Sequence, residues 1–125
     1  MIKTIALIAH DHQKDILVNF ANRHRDKLAK INIIATGTTA SRLSQIGIEN
    51  ITAVASGPKG GDLQIGSKIV DDQVDAMIFL WDPLSPQPHD VDVKALLRIA
   101  VMKDILLASN LKTAEAIFEN LIVGS

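Results

Sequence analysis

The feature that most constrains the fold is the alternation of short apolar segments with segments of helical periodicity. Five mostly apolar runs, typical of strands buried on both faces of a sheet, span residues 4–9, 31–35, 51–55, 76–81 and 105–108. Helix-periodic segments follow them at about 13–23, 39–46, 62–71, 91–103 and 113–121. The fourth has one apolar face, made of Val93, Leu96, Leu97, Ala100 and Val101. Repeated strand–helix units with short connections predict an α/β fold, a doubly wound five-stranded parallel sheet with helices on both faces.

Composition narrows the class of protein. A chain of 125 residues with 47% apolar and 22% charged residues fits one globular domain, which we expect to span residues 1–125. The net charge of -1 and the scarcity of aromatic residues argue against nucleic acid and acidic membranes as partners. The absence of cysteine excludes disulfides, thiolate metal sites and a cysteine nucleophile.

The start of the chain reads directly as a strand, without the apolar region and cleavage site of a signal peptide. No run of about 18 apolar residues is long enough to predict a membrane span. A cytoplasmic location is therefore expected.

Polar clusters follow every predicted strand. In open parallel sheets, ligands bind beyond the carboxyl ends of the strands. The clusters are His10-Asp11-His12, Thr36-Gly37-Thr38-Thr39, residues 56–62, Trp81-Asp82-Pro83 with residues 89–92, and Ser109-Asn110. Their convergence on one edge predicts the functional site there.

Two of these clusters favour binding of a phosphate. Hydroxyls and free amides before a helix, as in Thr36, Gly37, Thr38 and Thr39, donate to phosphate oxygens. The alternative is an ordinary helix N-cap with a turn glycine. Ser56 and Gly57 make a second donor pair, and Lys14 could add a point charge or be a solvated surface lysine. No Walker pattern is present.

Acid–base chemistry is indicated by the glycine-rich run that ends in Asp62. Glycines let the backbone approach a ligand closely, and a carboxylate at the start of a helix suits a base better than a phosphate contact, since two anions repel. Alternatively, Asp62 only complements the helix dipole. His89, in a proline-stiffened loop, could polarise a carbonyl or move a proton, with Asp92 as its partner, or be a surface histidine.

A metal site is not expected. His10, Asp11 and His12 are possible ligands, but consecutive residues seldom present a tetrahedral set.

Over nearly its whole length the chain resembles the methylglyoxal synthases. The motifs that carry the resemblance are IALIAHD, ATGTT, SGPKGGD followed by QIG, FLWDPL, and PHD followed by DVKALLRIA. The resemblance implies conversion of dihydroxyacetone phosphate into methylglyoxal and inorganic phosphate without a metal or organic cofactor. It also implies a homohexamer that phosphate often inhibits.

The same resemblance implies roles for individual residues. Asp62 matches the catalytic base, His89 the histidine at the substrate carbonyl, and Asp92 an acid needed for activity. Asp11 and Asp82 match acids that line the site. Substrate and phosphate contacts are implied for His10, Lys14, Thr36, Gly37, Thr38, Thr39, Ser56 and Gly57.

Some positions depart from the family pattern. Leu63 stands where a glutamine is usual, Val91 replaces a common proline, and longer members continue beyond residue 125 into a tail. The departures leave every proposed catalytic residue in place.

Three other classes of doubly wound protein are alternatives. The effector-binding module of carbamoyl phosphate synthetases has this fold without the chemistry, and retention of Asp62, His89 and Asp92 together argues against it. A flavin carrier would need aromatic residues to sandwich the flavin ring. A receiver domain would need a phosphoacceptor aspartate at the end of the third strand, where Ser56 stands.

Overall fold

A computed structural model describes residues 2–55, 61–84 and 93–120. The strands are β1 (Thr4–Ala9), β2 (Asn32–Thr36), β3 (Ile51–Val54), β4 (Ala76–Leu80) and β5 (Leu106–Ala108). The helices are α1 (Lys14–Arg23), α2 (Arg25–Leu28), α3 (Gly37–Gln45), α4 (Gly61–Val70), α5 (Val93–Met102) and α6 (Leu111–Asn120). A single 3-10 turn, Asp11–Gln13, precedes α1.

The strands form one parallel sheet in the order β3-β2-β1-β4-β5, which confirms the predicted fold. The central strand β1 pairs on both sides, so that Ala6 lies opposite Ile34 of β2 and Met77 of β4. The chain winds outwards from β1 to β3 and then returns across β1 to β4 and β5. The direction of winding therefore changes between β1 and β4, where sheets of this kind bind ligands.

Each face of the sheet has its own hydrophobic core. Side chains at alternate positions of a strand point to opposite faces, so Ile5 and Leu7 pack under α1, α3 and α6, whereas Ala6 and Ile8 pack under α4 and α5. All four side chains are fully buried. Helices on both faces explain why the strands read as continuous apolar runs.

Two contacts between helices tighten the layers. A Cβ placed on Gly66 of α4 would lie 3.1 Å from Ile99 Cδ1 of α5, so this glycine permits close packing of the pair. Across the other layer, Glu115 of α6 accepts hydrogen bonds from Arg23 Nη2 at 2.5 Å and His24 Nε2 at 2.8 Å. Partial burial, the largest single influence, raises the pKa of Glu115, but the bonds and charges of these two partners together outweigh it and hold the pKa below its ordinary value.

Several predicted boundaries were wrong at the starts of helices. The third helix begins at Gly37 rather than at residue 39, because Thr36 is its extended N-cap residue. The last begins at Leu111 rather than at 113, because the Asn110 side chain accepts the Thr113 N–H at 2.9 Å and caps it. Gln13 belongs to the 3-10 turn before α1.

The remaining differences are small. The short helix α2 was not predicted, and β2 begins one residue later than expected because the N–H of Ile31 bonds back to Leu28 in a turn. Strands β3 and β4 each end one residue earlier than expected, and β5 starts one residue later. On α5, Leu96 and Ala100 are buried as predicted, but Val101 is 70% exposed because the sheet and α4 cover only part of the apolar face. No described helix is long and apolar enough to span a membrane.

Candidate active site

Polar segments from three adjoining strands meet at the carboxyl edge of the sheet. His10 follows β1, Thr36 ends β2, and Asp82 follows β4. The His10 N–H donates to the carbonyl of Leu80 at 3.1 Å, and the Asp82 N–H donates to His10 Nδ1 at 3.0 Å. The structure thus brings His10 and Asp82 together at the switch point between β1 and β4, with Thr36 at the end of the neighbouring strand β2.

The imidazole of His10 is buried, with 2% of the residue exposed, and packs edge-on against Phe79. Because Nδ1 accepts a hydrogen bond, the hydrogen of the neutral ring lies on Nε2. Nε2 is buried and has no hydrogen-bond partner among the described residues. A buried donor without a partner costs free energy, so this geometry suits a ligand that accepts a hydrogen bond.

The segment from Thr36 to Thr39 forms the junction between β2 and α3. Thr36 is extended (φ -71°, ψ 158°) and its side chain does not cap the helix. The first amides of α3, which have no acceptor within the helix, therefore receive none from this side chain either. Gly37 and Thr38 lie in this first turn with part of their surface exposed. Thr39 is fully buried, and its Oγ1 has no hydrogen-bond partner in the described part of the chain. The junction can therefore donate several hydrogen bonds to an anion.

Lys14 and Asp11 form an ion pair at the start of α1. Nζ lies 2.6 Å from Asp11 Oδ1, and the lysine side chain is 14% exposed, against 72% for the aspartate. The hydrogen bond from Lys14, followed by its charge, holds the pKa of Asp11 below its ordinary value. The ammonium group has three hydrogens, so contact with Asp11 leaves donors for a further anionic oxygen.

Asp82 connects His10 to His12, which the sequence indicated only as a possible metal ligand. Its Oδ2 lies 3.1 Å from His12 Nδ1, and its Oδ1 accepts the N–H of Leu84 at 3.0 Å. The Asp82 side chain is 8% exposed and that of His12 is 71% exposed. Both oxygens of a nearly buried carboxylate are thus hydrogen-bonded, as buried polar groups normally are.

Five predicted site residues lie wholly or partly outside the described residues. Ser56, Gly57, His89 and Asp92 lie outside the described residues, and of Asp62 only the backbone is described, as the second residue of α4.

Gln64 was not singled out from the sequence. Its Oε1 accepts the Ala55 N–H at 2.7 Å and so joins the end of β3 to the first turn of α4, on either side of the glycine-rich segment.

Among the described residues, no group of three or more histidine and acidic side chains is arranged to hold a metal ion. Two of the residues named above as possible ligands make other contacts, since Asp11 pairs with Lys14 and His12 with Asp82.

Comparison with known proteins agrees with the fold. Residues 16–109 match the family described as MGS-like domain. The chain is 51% identical to methylglyoxal synthase from Rhizobium rhizogenes over 95% of both chains. It is 48% identical to methylglyoxal synthase from Pseudoalteromonas atlantica, over 92% of this chain and 85% of the relative.

A solved structure is also similar. The crystal structure of methylglyoxal synthase from Elizabethkingia anophelis superposes with a TM-score of 0.91 at 48% identity, covering 95% of this chain and 78% of that one. The resemblance predicted from the motifs is confirmed, and the chain belongs to the methylglyoxal synthase family.

Proposed function

We propose that this chain catalyses the methylglyoxal synthase reaction, in which dihydroxyacetone phosphate gives methylglyoxal and inorganic phosphate. The observation that carries the proposal is the buried imidazole of His10, whose Nε2–H has no partner among the described residues, at the switch point of a sheet built like that of a methylglyoxal synthase. Such a donor suits a carbonyl or phosphate oxygen of a small substrate.

The phosphate group is proposed to bind at the start of α3. The free amides of the first turn and the helix dipole favour a dianion there. The hydroxyl of Thr39 and the ammonium group of Lys14 add donors, and the position of Lys14 in the first turn of α1 supports this role. Ser56 and Gly57 are proposed as a second set of donors, on the strength of the motif alone.

Proton abstraction is assigned to Asp62. Its place in the first turn of α4, directly after the glycine-rich segment, supports its role as the base that removes a proton from the hydroxymethyl carbon. The electron pair of the broken C–H bond forms an enediolate. Hydrogen bonds from His10 and His89 to the substrate oxygens would stabilise the developing charge, with Asp92 orienting His89.

Elimination of phosphate completes the reaction. As the enediolate collapses, the hydroxyl on the former hydroxymethyl carbon loses its proton and that carbon becomes the aldehyde. The double-bond electrons shift toward the phosphate-bearing carbon, and the C–O bond to phosphate breaks with its electron pair on the phosphate. The resulting enolate takes up a proton at its terminal carbon and becomes methylglyoxal. The cationic and amide donors at the start of α1 and α3 would hold the departing charge.

Finer properties belong to the same proposal. A homohexameric assembly, inhibition by phosphate and a single domain spanning residues 1–125 follow from the family resemblance and the sequence. A cytoplasmic location is proposed because a charged phosphate ester does not cross membranes unaided and is converted where it is made. No nucleic-acid or membrane partner is expected at a net charge of -1.

The test is incubation of the purified chain with dihydroxyacetone phosphate, with methylglyoxal captured by a dicarbonyl trap and phosphate measured in parallel. Wild type should release the two in equal amounts, and Asp62→Asn should lose almost all activity. Asp71→Asn, the same change on an exposed acid just past the other end of α4, should keep it. Binding of phosphate without either product would instead indicate an effector-binding relative.

A further inference from the structure

His12 has no part in the chemistry described above. We infer that it is a positioning residue, which acts through the Asp82 carboxylate to hold the Asp82 N–H on His10 and so keeps the Nε2–H of His10 available to the substrate. The inference deepens the proposed function and rests on it for the identity of the ligand.

The first step is the bond between His12 and Asp82. A carboxylate oxygen only accepts hydrogen bonds, so at 3.1 Å from Asp82 Oδ2 the Nδ1 atom of His12 must carry a hydrogen. The other oxygen, Oδ1, accepts the N–H of Leu84 two residues along the chain. The carboxylate is thereby held by His12, which follows β1, and by the backbone N–H of Leu84 in its own turn.

The second step is the effect of these two hydrogen bonds on the backbone of Asp82. In the conformation that these two bonds stabilise, the Asp82 N–H donates to His10 Nδ1 at 3.0 Å. This N–H is the only donor that reaches Nδ1 among the described residues. It selects the tautomer with hydrogen on Nε2, which is opposite to the hydrogen position required of His12.

The alternative is that His12 is a surface residue whose pairing with Asp82 has no further effect. Its side chain is 71% exposed, and pairs between two exposed groups contribute little. Here, however, the partner carboxylate is only 8% exposed, so losing His12 removes a hydrogen bond from a nearly buried group. The segment that carries the Asp82 N–H then loses its link to His12 after β1, and we expect the hydrogen bond from this N–H to His10 to loosen.

The experiment compares wild type with His12→Ala and His12→Asn. The amide nitrogen of asparagine can occupy the place of Nδ1 and donate to Asp82, so His12→Asn keeps the hydrogen bond that His12→Ala removes. Two readouts are used, and neither needs turnover. The first is the two-bond proton–nitrogen spectrum of the histidine rings, which distinguishes a ring nitrogen that carries hydrogen from one that accepts. The second is calorimetric binding of 2-phosphoglycolate, whose carboxylate resembles the planar enediolate.

We expect His12→Ala to replace the single tautomer of His10 by a mixture and to weaken binding of the analogue roughly tenfold, the worth of one charge-assisted hydrogen bond. His12→Asn should keep both the single tautomer of His10 and the wild-type affinity for the analogue. An unchanged His10 spectrum and affinity in His12→Ala would overturn the inference, as would equal losses in both variants. Turnover is measured separately: a wild type that binds the analogue but makes no methylglyoxal would refute the proposed function, while the tautomer of His10 still decides the role of His12.

Discussion

Replacement of Thr39 by valine should make the free protein more stable and its binding of phosphorylated ligands weaker. Thr39 is fully buried, and its Oγ1 has no hydrogen-bond partner among the described residues. Valine has nearly the same shape and puts a methyl group in place of the hydroxyl. The change therefore removes a buried polar atom without opening a cavity.

The two effects can be estimated separately. A buried polar group left without a partner costs about 1–3 kcal/mol, so Thr39→Val should recover about 1 kcal/mol, or roughly 4 °C in Tm for a domain of this size. A hydrogen bond to a charged group contributes about 1.5–3 kcal/mol, so binding of a phosphate ester should weaken by roughly tenfold to a hundredfold.

The effects on stability and on binding have opposite signs, so both can be tested by thermal unfolding at fixed protein concentration, with and without 2-phosphoglycolate. At 100 times the wild-type Kd the ligand stabilises wild type by about 2.7 kcal/mol, and a variant with tenfold weaker binding by about 1.4 kcal/mol. The greater stability of Thr39→Val relative to wild type in the free protein should thus disappear once ligand is added. Thr113→Val, the same change at an exposed position in the first turn of α6, is the control for a general effect of valine in a first helical turn. A loss of stability in the free Thr39→Val protein, or an unchanged Kd, would refute the reasoning.

Three further outcomes follow from other contacts. His10→Ala should lower kcat/KM at least tenfold and, because it leaves the Asp82 N–H buried without an acceptor, should cost about 1–3 kcal/mol in urea unfolding; equal stability would contradict the bond at Nδ1. Glu115→Gln should be destabilising at pH 7. The folded-state pKa of Glu115 is depressed, so the carboxylate's contribution is fully present above its ordinary value of 4.5 and is lost as the pH falls through the lower folded value. The urea midpoints of wild type and Glu115→Gln should therefore converge in acid. A difference between them that does not change with pH would count against the pairing of Glu115 with Arg23 and His24. Gly66→Ala should change stability by less than about 0.5 kcal/mol, since the gain in helix propensity offsets the 3.1 Å approach to Ile99 Cδ1, whereas Gly66→Leu should cost about 1–3 kcal/mol by overpacking.

The strands were predictable because a strand buried on both faces is a run of consecutive apolar residues. Strand β1, with five buried residues out of six, was placed with both ends correct, and the other strands to within one residue at either end. Helix starts were less predictable, because a residue such as Thr36 both ends a strand and caps a helix. The four-residue helix α2 is too short to show a helical period.

The parts of the site that depend on chain topology could be predicted in outline only. Strand ends meet at one edge in any parallel sheet, so the convergence of His10, Thr36 and Asp82 follows from the order of elements. The pairing of His12 with Asp82 does not, since the two residues are 70 positions apart and the sequence carries no signal for the contact. The same holds for the exposure of Val101, which depends on how much of α5 its neighbours cover.

The chemistry of the buried groups also restricts what the site binds. His10 Nε2, in the tautomer that Asp82 imposes, can only donate a hydrogen bond, and the free amides at the start of α3 can only donate as well. The hydroxyl of Thr39 can donate to the same ligand. A molecule that satisfies these groups together must present acceptor oxygens toward both β1 and β2, as a ketone that carries a phosphate does. An amine or another ligand rich in donors would leave the Nε2–H of His10 without a partner, and that part of the free-energy cost already present in the folded chain would remain.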